Sequence, residues 1–334
     1  MTKTAWSFLE KKVVLITGGT GSFGQQFAEI VLKESQVKAL RIYSRDELKQ
    51  LQMSRRFIDE RIRFLIGDVR DKERLHRAMR EVDIVVHAAA MKQVPTAEYN
   101  PLEAVKTNIL GTANIIDAAI DHNLEKVMLI GTDKSVHPVN LYGATKLVAE
   151  KLFVQANTYV GDLRTRFSCV RYGNVMGSRG SVIEVFLAQR RNGSIPITDE
   201  RMTRFWITLE QGVRFVLSCI GQMQGGEVFV PKIPSMRLVD IAQTLAPDAR
   251  RDIIGIRPGE KLHEELITRE EWPRTKEFDG YYVVEPEHPF WNGVKGPGGQ
   301  QMTEGFEYRS DTNQRWLRPE ELMSYTKHLT GAQA

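Results

Sequence analysis

The stretch K-V-V-L-I-T-G-G-T-G-S-F-G, Lys12 to Gly24, decides the fold of this chain. Lys12–Thr17 is a short apolar run of strand type. Gly18, Gly21 and Gly24 follow at intervals of three, and Gln25–Lys33 has the apolar spacing of a helix. Strand, glycine turn and helix in this order suit a pyrophosphate. Glycine lets the backbone approach it, and the helix N-terminus attracts its charge. Gly18, Thr20, Gly21, Ser22, Phe23 and Gly24 are the expected dinucleotide contacts.

A second strand, Ala39–Tyr43, ends in Ser44-Arg45-Asp46. An acid at this strand end usually takes the ribose 2′-hydroxyl of NAD, and an Arg accommodates the 2′-phosphate of NADP. Ser44 and Arg45 point to NADP. Asp46 has a second reading, as the N-cap of the helix beginning E-L-K-Q-L. Arg63–Ile66 is a third strand, and Asp68 and Val69 just beyond it are placed to touch the adenine. Asp83–His87 is a fourth, leading into Ala88-Ala89-Ala90, where the small Ala88 and Ala90 let the chain lie on the dinucleotide. Lys92, in the next loop, is either a solvated charge or a ligand to phosphate or substrate. Pro101–His122 reads as helix and Arg166–Arg171 as the sixth strand.

This alternation predicts an α/β protein, a Rossmann-type doubly wound parallel sheet with a smaller, mixed C-terminal substrate-binding domain. Residues 11–171 form the expected nucleotide-binding domain. Residues 172–330 form mainly the substrate region, with some segments returning to the first domain.

The chemistry is expected between Val127–Ile130, a strand, and the helix capped by Asn140. Tyr142 and Lys146 are i and i+4 on that helix and share a face. An ammonium beside a phenol favours phenolate, so Lys146 is expected to lower the pKa of Tyr142 and make it a base for a sugar hydroxyl. Thr132-Asp133-Lys134, at the strand end, adds acid and base functions beside it.

The chain has 334 residues and a net charge of +4, which suits anionic small ligands and makes no case for nucleic acid. No zinc spacing is present, and no metal is expected. Cys169 and Cys219 read as buried thiols in a reducing compartment. No apolar run approaches the ~20 residues of a membrane span, and the first ten residues lack a signal-peptide pattern. The cytoplasm is the expected location.

In the second half, R-Y-G-N-V-M-G-S-R-G-S (171–181) is a glycine-rich loop. Its Asn174, Val175, Ser178, Arg179, Gly180 and Ser181 offer backbone N–H groups and one cation to a diphosphate or sugar. Arg257 presents a planar fork that matches phosphate oxygens, and Glu260 can accept from a ribose. Arg204 reads as ordering the chain. Ser235 is expected to open a helix through Leu245, after which Asp252–Ile256 is a strand.

T-G-G-x-G-x-x-G, H-A-A-A and Y-x-x-x-K together resemble the extended short-chain dehydrogenase/reductase superfamily. S-R-D-E-L-K-Q, K-Q-V-P-T-A-E-Y-N-P, T-D-K, N-L-Y-G-A-T-K, R-Y-G-N-V-M-G-S-R-G-S and R-P-G-E-K-L-H-E-E are similar to the inverting UDP-N-acetylglucosamine 4,6-dehydratases. Those enzymes open the route to pseudaminic acid and related sugars. The resemblance implies NADP, regenerated each turnover, UDP-N-acetylglucosamine as substrate, and a homo-oligomer. It implies C4 oxidation, loss of water across C5 and C6, hydride return to C6, and reprotonation of C5 on the opposite face. By the same resemblance Thr132 bonds the C4 oxygen, Lys134 takes the C5 proton and Asp133 assists the C6 hydroxyl, with the last two roles exchangeable. Asn174 and the Ser178–Ser181 loop would face the nucleotide-sugar, and Thr198 the uridine. Two positions depart from the pattern: His137 stands where the family has Asn, and Glu184 where it has Pro. The alternatives are a C5-retaining dehydratase, a 4-epimerase of a UDP-hexose and, more distantly, a non-catalytic NADP sensor.

Overall fold

In a computed structural model, residues 5–177, 181–190, 193–287 and 299–331 are described. The first strand, β1 (Val13–Thr17), is buried along its whole length, as a strand covered on both faces must be. β2 (Ala39–Ser44), β3 (Ile62–Ile66), β4 (Ile84–His87), β5 (Lys126–Ile130) and β6 (Arg166–Val170) complete the parallel array. Each lies within two residues of its expected bounds. Helices α1 (Ser22–Glu34), α2 (Glu47–Arg56) and α3 (Lys72–Met79) make the first crossovers. The next connection holds α4 (Val94–Tyr99), α5 (Pro101–Val105), a π turn (Lys106–Leu110) and α6 (Gly111–Asp121). Helix α7 (Leu141–Ala156) joins β5 to β6.

The main sheet runs β3-β2-β1-β4-β5-β6, then Val228–Pro231, Tyr281–Val284, Thr275–Phe278 and Gln300–Gln301. Val228–Pro231 is parallel to β6 and the last three are antiparallel. Strand order reverses between β1 and β4, and the carboxyl ends on either side of such a reversal form the ligand crevice. A smaller sheet pairs Asn174–Met176 and Ser235–Arg237 with Thr203–Thr208. Its own core is built from Met176, Ile183, Trp206, Met236 and Ile241.

Two expectations change. Ser235–Arg237 is a strand, and the helix begins only at Leu238. Ser235 N–H donates to Arg315 O at 2.9 Å, and the segment pairs with Thr203–Phe205, so sheet pairing overrides the local helix pattern. The strand expected at Asp252–Ile256 lies earlier, at Arg250–Ile253, where it pairs with Ser194–Ile197. Among the described residues, no helix is long and apolar enough to cross a membrane.

One buried ion cluster ties early and late chain together. Arg171, the residue after β6, donates to Glu150 of α7 at 2.7 and 2.6 Å, and to Glu271 at 2.9 and 2.8 Å. Its fifth bond, 3.1 Å long, goes to Leu266 O. The guanidinium outweighs the effect of burial and holds the Glu271 carboxyl down at about 2. Removing one partner of a buried pair strands the other charge. Arg171→Ala is therefore expected to cost about 3–5 kcal/mol, read as a lower midpoint in urea.

Candidate active site

At the switch point, Gly18 adopts a φ of +66° and faces the chain after β4. A Cβ there would stand 2.9 Å from Ala89 Cα and N. Thr17 holds this approach: its hydroxyl accepts from Ala89 N–H at 3.2 Å and hydrogen-bonds His87 Nδ1 at 2.7 Å. Burial pushes the His87 imidazole down to about 3, so the ring is neutral. Gly21 is the N-cap of α1 and no side chain caps that end, so the first N–H groups of the helix have no side-chain partner there. At Gly24 a Cβ would meet Gly19 O at 2.2 Å, which fixes the third glycine for helix packing. Thr20 is buried, and Ser22 and Phe23 start the helix.

At the end of β2 the three polar residues separate by role. Ser44 is buried and its hydroxyl accepts from Gln50 at 3.0 Å. Asp46 caps α2, accepting from Lys49 N–H at 2.9 Å. Arg45 is exposed and reaches Asp68 at 3.4 Å. Asp68 also accepts from the Arg70 guanidinium at 2.9 and 2.7 Å. Burial alone would raise that carboxyl, but the two arginines win and hold it low. Val69 is buried against Gly111.

The candidate polar cluster is built by the turn after β5. Gly131 N–H donates to Val170 O at 2.7 Å, and a Cβ there would stand 2.4 Å from that oxygen. The chain then makes a single 3-10 turn, Asp133–Ser135, closed by Ser135 Oγ on Thr132 O at 2.6 Å. Asn140 caps α7, accepting from Gly143 N–H at 2.7 Å. Tyr142 and Lys146 are both buried on the face of α7 that meets this turn. Lys146 Nζ donates to Ile130 O at 2.8 Å.

The expected influence of Lys146 on Tyr142 is corrected. Burial raises the Tyr142 phenol above its ordinary value, and the groups that oppose this are Lys134 and the Thr132 hydroxyl. The cation that favours the phenolate in the free protein is therefore Lys134. Asn108 is also fully used: it accepts from Met91 N–H at 2.8 Å and donates to Met91 O and Thr145 Oγ1. It braces α7 directly through Thr145.

Asp133 is buried and accepts from Lys134 Nζ at 3.0 Å and from the Thr132 hydroxyl at 3.0 Å. Its other oxygen has no hydrogen-bond partner among the described residues. Burial drives the Asp133 carboxyl upward and Glu264 adds to the effect, against the pull of Lys134. Lys134 is raised despite burial, because its ammonium lies between Asp133 and Glu264. Glu264 carries no role in the sequence reading. It is 3% exposed and within 4 Å of Lys134, Arg204 and Lys261. Arg204 is buried and donates to Leu262 O at 3.1 Å and Lys261 O at 2.9 Å, which orders this segment.

Lys92 is exposed, yet enough protein surrounds its ammonium to push it down, with Lys134 adding and Glu184 opposing. Asn174 Oδ1, Ser181 Oγ and Glu260 Oε2 are buried without hydrogen-bond partners among the described residues. Val175 is half-buried, Thr198 is buried, and Arg257 is exposed and pairs with Glu260 at 3.1 Å. Ser178, Arg179 and Gly180 lie outside the described residues. His137 takes a left-handed φ of +42°, and its ring lies 2.8 Å from Glu265. Among the described residues, no group of three His, Cys, Asp or Glu is placed to hold a metal.

The chain matches the family described as polysaccharide biosynthesis protein over residues 14–286. A UDP-N-acetylglucosamine 4,6-dehydratase (inverting) of Campylobacter jejuni subsp. jejuni strain 81-176 is 52% identical, over 96% of this chain and 98% of its own. A UDP-glucose 4-epimerase of Rickettsia akari is 40% identical over 82% of each chain. The X-ray structure of Pen from Bacillus thuringiensis is 39% identical and superposes with a TM-score of 0.89, over 96% of this chain and 99% of that one.

Burial lowers the Lys146 ammonium from 10.5 to about 8, against smaller upward pulls from Cys169 and Glu150. The unfolded chain binds this proton more tightly, so its destabilising effect is complete below about pH 8 and fades as pH rises towards 10.5. Urea unfolding of the dinucleotide-free protein checks this. From about pH 7 to about pH 10, wild type should gain about 1–3 kcal/mol relative to Lys146→Met. The lost bond to Ile130 O does not titrate and cancels from that change.

Proposed function

The chain belongs to the polysaccharide biosynthesis protein family, and on that footing we propose that it is a UDP-N-acetylglucosamine 4,6-dehydratase that inverts C5. The observation that carries this reading is the buried Asp133–Lys134 pair, 3.0 Å apart, beside Tyr142. An epimerase needs only to oxidise and reduce C4. An elimination needs an acid and a base as well, and this pair supplies both.

The glycine cradle at Gly18–Gly24, with the uncapped end of α1, fits a dinucleotide diphosphate. Bound there, an oxidised nicotinamide dinucleotide would supply a reversible hydride acceptor for C4 and C6 and a positive ring that favours the Tyr142 phenolate. In this reading Tyr142 takes the C4 hydroxyl proton and Thr132 bonds the same oxygen. The ketone acidifies C5–H. Moving one proton along the 3.0 Å bond from Lys134 to Asp133 gives a neutral amine and a neutral carboxylic acid. The amine removes the C5 proton and the acid protonates the departing C6 hydroxyl, which leaves as water. The pair then returns to ammonium and carboxylate, its resting state. The proton held by Tyr142 balances the one that C5 regains, so the sum is loss of one water.

The unpartnered polar atoms of Asn174, Ser181 and Glu260 support a nucleotide-sugar diphosphate site closed by Arg257. Lys92 and Thr198 belong to the same reading. NADP is the proposed dinucleotide, because Asp46 is spent as a helix cap while Arg45 is exposed, in an ion pair with Asp68 at 3.4 Å that a 2′-phosphate would replace. A homo-oligomer is proposed through the face of α5–α7, where Leu102, Leu110 and Val148 are exposed. A cytoplasmic setting suits the two free, buried cysteines.

Incubation with UDP-N-acetylglucosamine in D₂O, followed by proton NMR and mass, tests the activity. A 4-keto-6-deoxy sugar with deuterium at C5 and L-arabino couplings is expected. A product of unchanged mass with altered C4 would instead make this an epimerase. Lys134→Ala should bind the dinucleotide normally and lose about 10²–10⁴-fold in turnover. Arg45→Ala should lose the preference for NADP over NAD in a titration of both, and an unaltered ratio would remove Arg45 from that role.

A further inference from the structure

Glu264 comes from a segment about 130 residues beyond the reacting turn, yet it is part of the turn's surroundings. Its Oε1 lies 3.5 Å from Lys134 Nζ and 3.7 Å from Arg204 Nε, and its Oε2 lies 3.4 Å from Lys261 Nζ. The backbone holds it there from both sides. Glu264 N–H donates to Ser310 Oγ at 2.9 Å, and Ser310 N–H donates to Glu264 O at 2.8 Å. Thr203 Oγ1 fixes Ser310 Oγ at 2.7 Å. A buried carboxylate held so firmly, with Oε2 in no hydrogen bond among the described residues, is not a surface charge that has folded inward.

Resting on the dehydratase reading, we propose that Glu264 is a positioning residue for the elimination: its fixed negative charge, 3.5 Å from Lys134, keeps one proton on the Asp133–Lys134 pair. The elimination consumes a base and an acid that share this single proton. If the pair loses the proton, the amine remains but no acid is left for the C6 hydroxyl. If it gains a second, no base remains for C5. A third carboxylate, near both members and outside the exchange, resists the loss. Burial would raise that carboxyl, but Lys134, Arg204 and Lys261 together hold it low, so Glu264 stays anionic and the proton stays on the pair. The groups facing the cluster are Asp133, Lys134 and Tyr142 from the reacting turn and α7, Arg204 from the second sheet, Lys261 from its own segment, and Lys92 from the loop after β4. Both members of the pair are displaced upward by Glu264, which agrees with the geometry.

The test is the pH profile of dehydration in the dinucleotide-loaded protein with UDP-N-acetylglucosamine. In Glu264→Gln the pair gives up its proton more easily. The alkaline limb of kcat should move to lower pH by about one unit or more, with KM little changed. Glu264→Asp should restore part of the shift. Lys261→Gln removes a positive charge from the same cluster, and its limb should move the other way, to higher pH. A merely structural role for Glu264 would lower kcat at every pH and leave the limb in place. Active wild type with an unmoved limb in Glu264→Gln would overturn the proposal. Should that variant not fold, an unmoved limb in Lys261→Gln overturns it. Wild type that does not dehydrate the sugar would overturn the dehydratase reading itself, and the role of Glu264 with it.

Discussion

The site depends on how closely helix α7 approaches the turn before it. A Cβ at Gly143 would stand 2.1 Å from the Lys134 carbonyl oxygen, so only glycine lets the helix start there. That contact sets the distance between Tyr142, one residue away, and the Asp133–Lys134 pair. Gly131 does the same on the other side of the turn, where the chain lies against Val170 O. A third contact closes the site from the late chain: Asn140 Nδ2 donates to Gly259 O at 2.8 Å, joining the cap of α7 to the Arg257–Glu260 loop. Tyr142, Asp133 and Lys134 are thus placed by backbone packing, which holds position better than flexible side chains do.

Two buried charge clusters show how structure and chemistry divide the same kind of interaction. Around Arg171, five hydrogen bonds from one guanidinium meet two carboxylates and a carbonyl, and the arrangement is complete. Around Lys134, Asp133 Oδ2 and Glu264 Oε2 are left without hydrogen-bond partners among the described residues. A satisfied network stiffens a fold, whereas an unsatisfied one keeps acceptor capacity for something that arrives later. Both clusters cross from the parallel strands to the late chain, so the same segments that stabilise the fold also deliver charge to the turn after β5.

The parallel half of the fold was legible because its signals are local. Glycine spacing, apolar runs and the Asn140 cap each act over a few residues, and β1 to β6 fall where they were expected. The Tyr142–Lys146 helix face was legible for the same reason. What failed was long-range. Ser235 reads as a helix start until Thr203–Phe205 and Arg315 are beside it. The influence of Lys146 on Tyr142 was inferred from spacing, but burial and a different lysine decide it. Glu264 and Glu265 are adjacent and alike on paper. Only the fold turns the first towards Lys134 and the second towards His137.

The main sheet is finished by strands from far along the chain. β6 acquires its outer neighbour only at Val228–Pro231, and that strand in turn is covered by Tyr281–Val284. During synthesis, at roughly 5–20 residues per second, β6 therefore waits several seconds with one edge bare. A bare edge invites pairing with another chain. The nascent protein is vulnerable to aggregation at this edge during that interval. For the same reason the nucleotide-binding half is not a portable module. Cut after Arg171, it would carry an open sheet edge and an Arg171 deprived of Glu271.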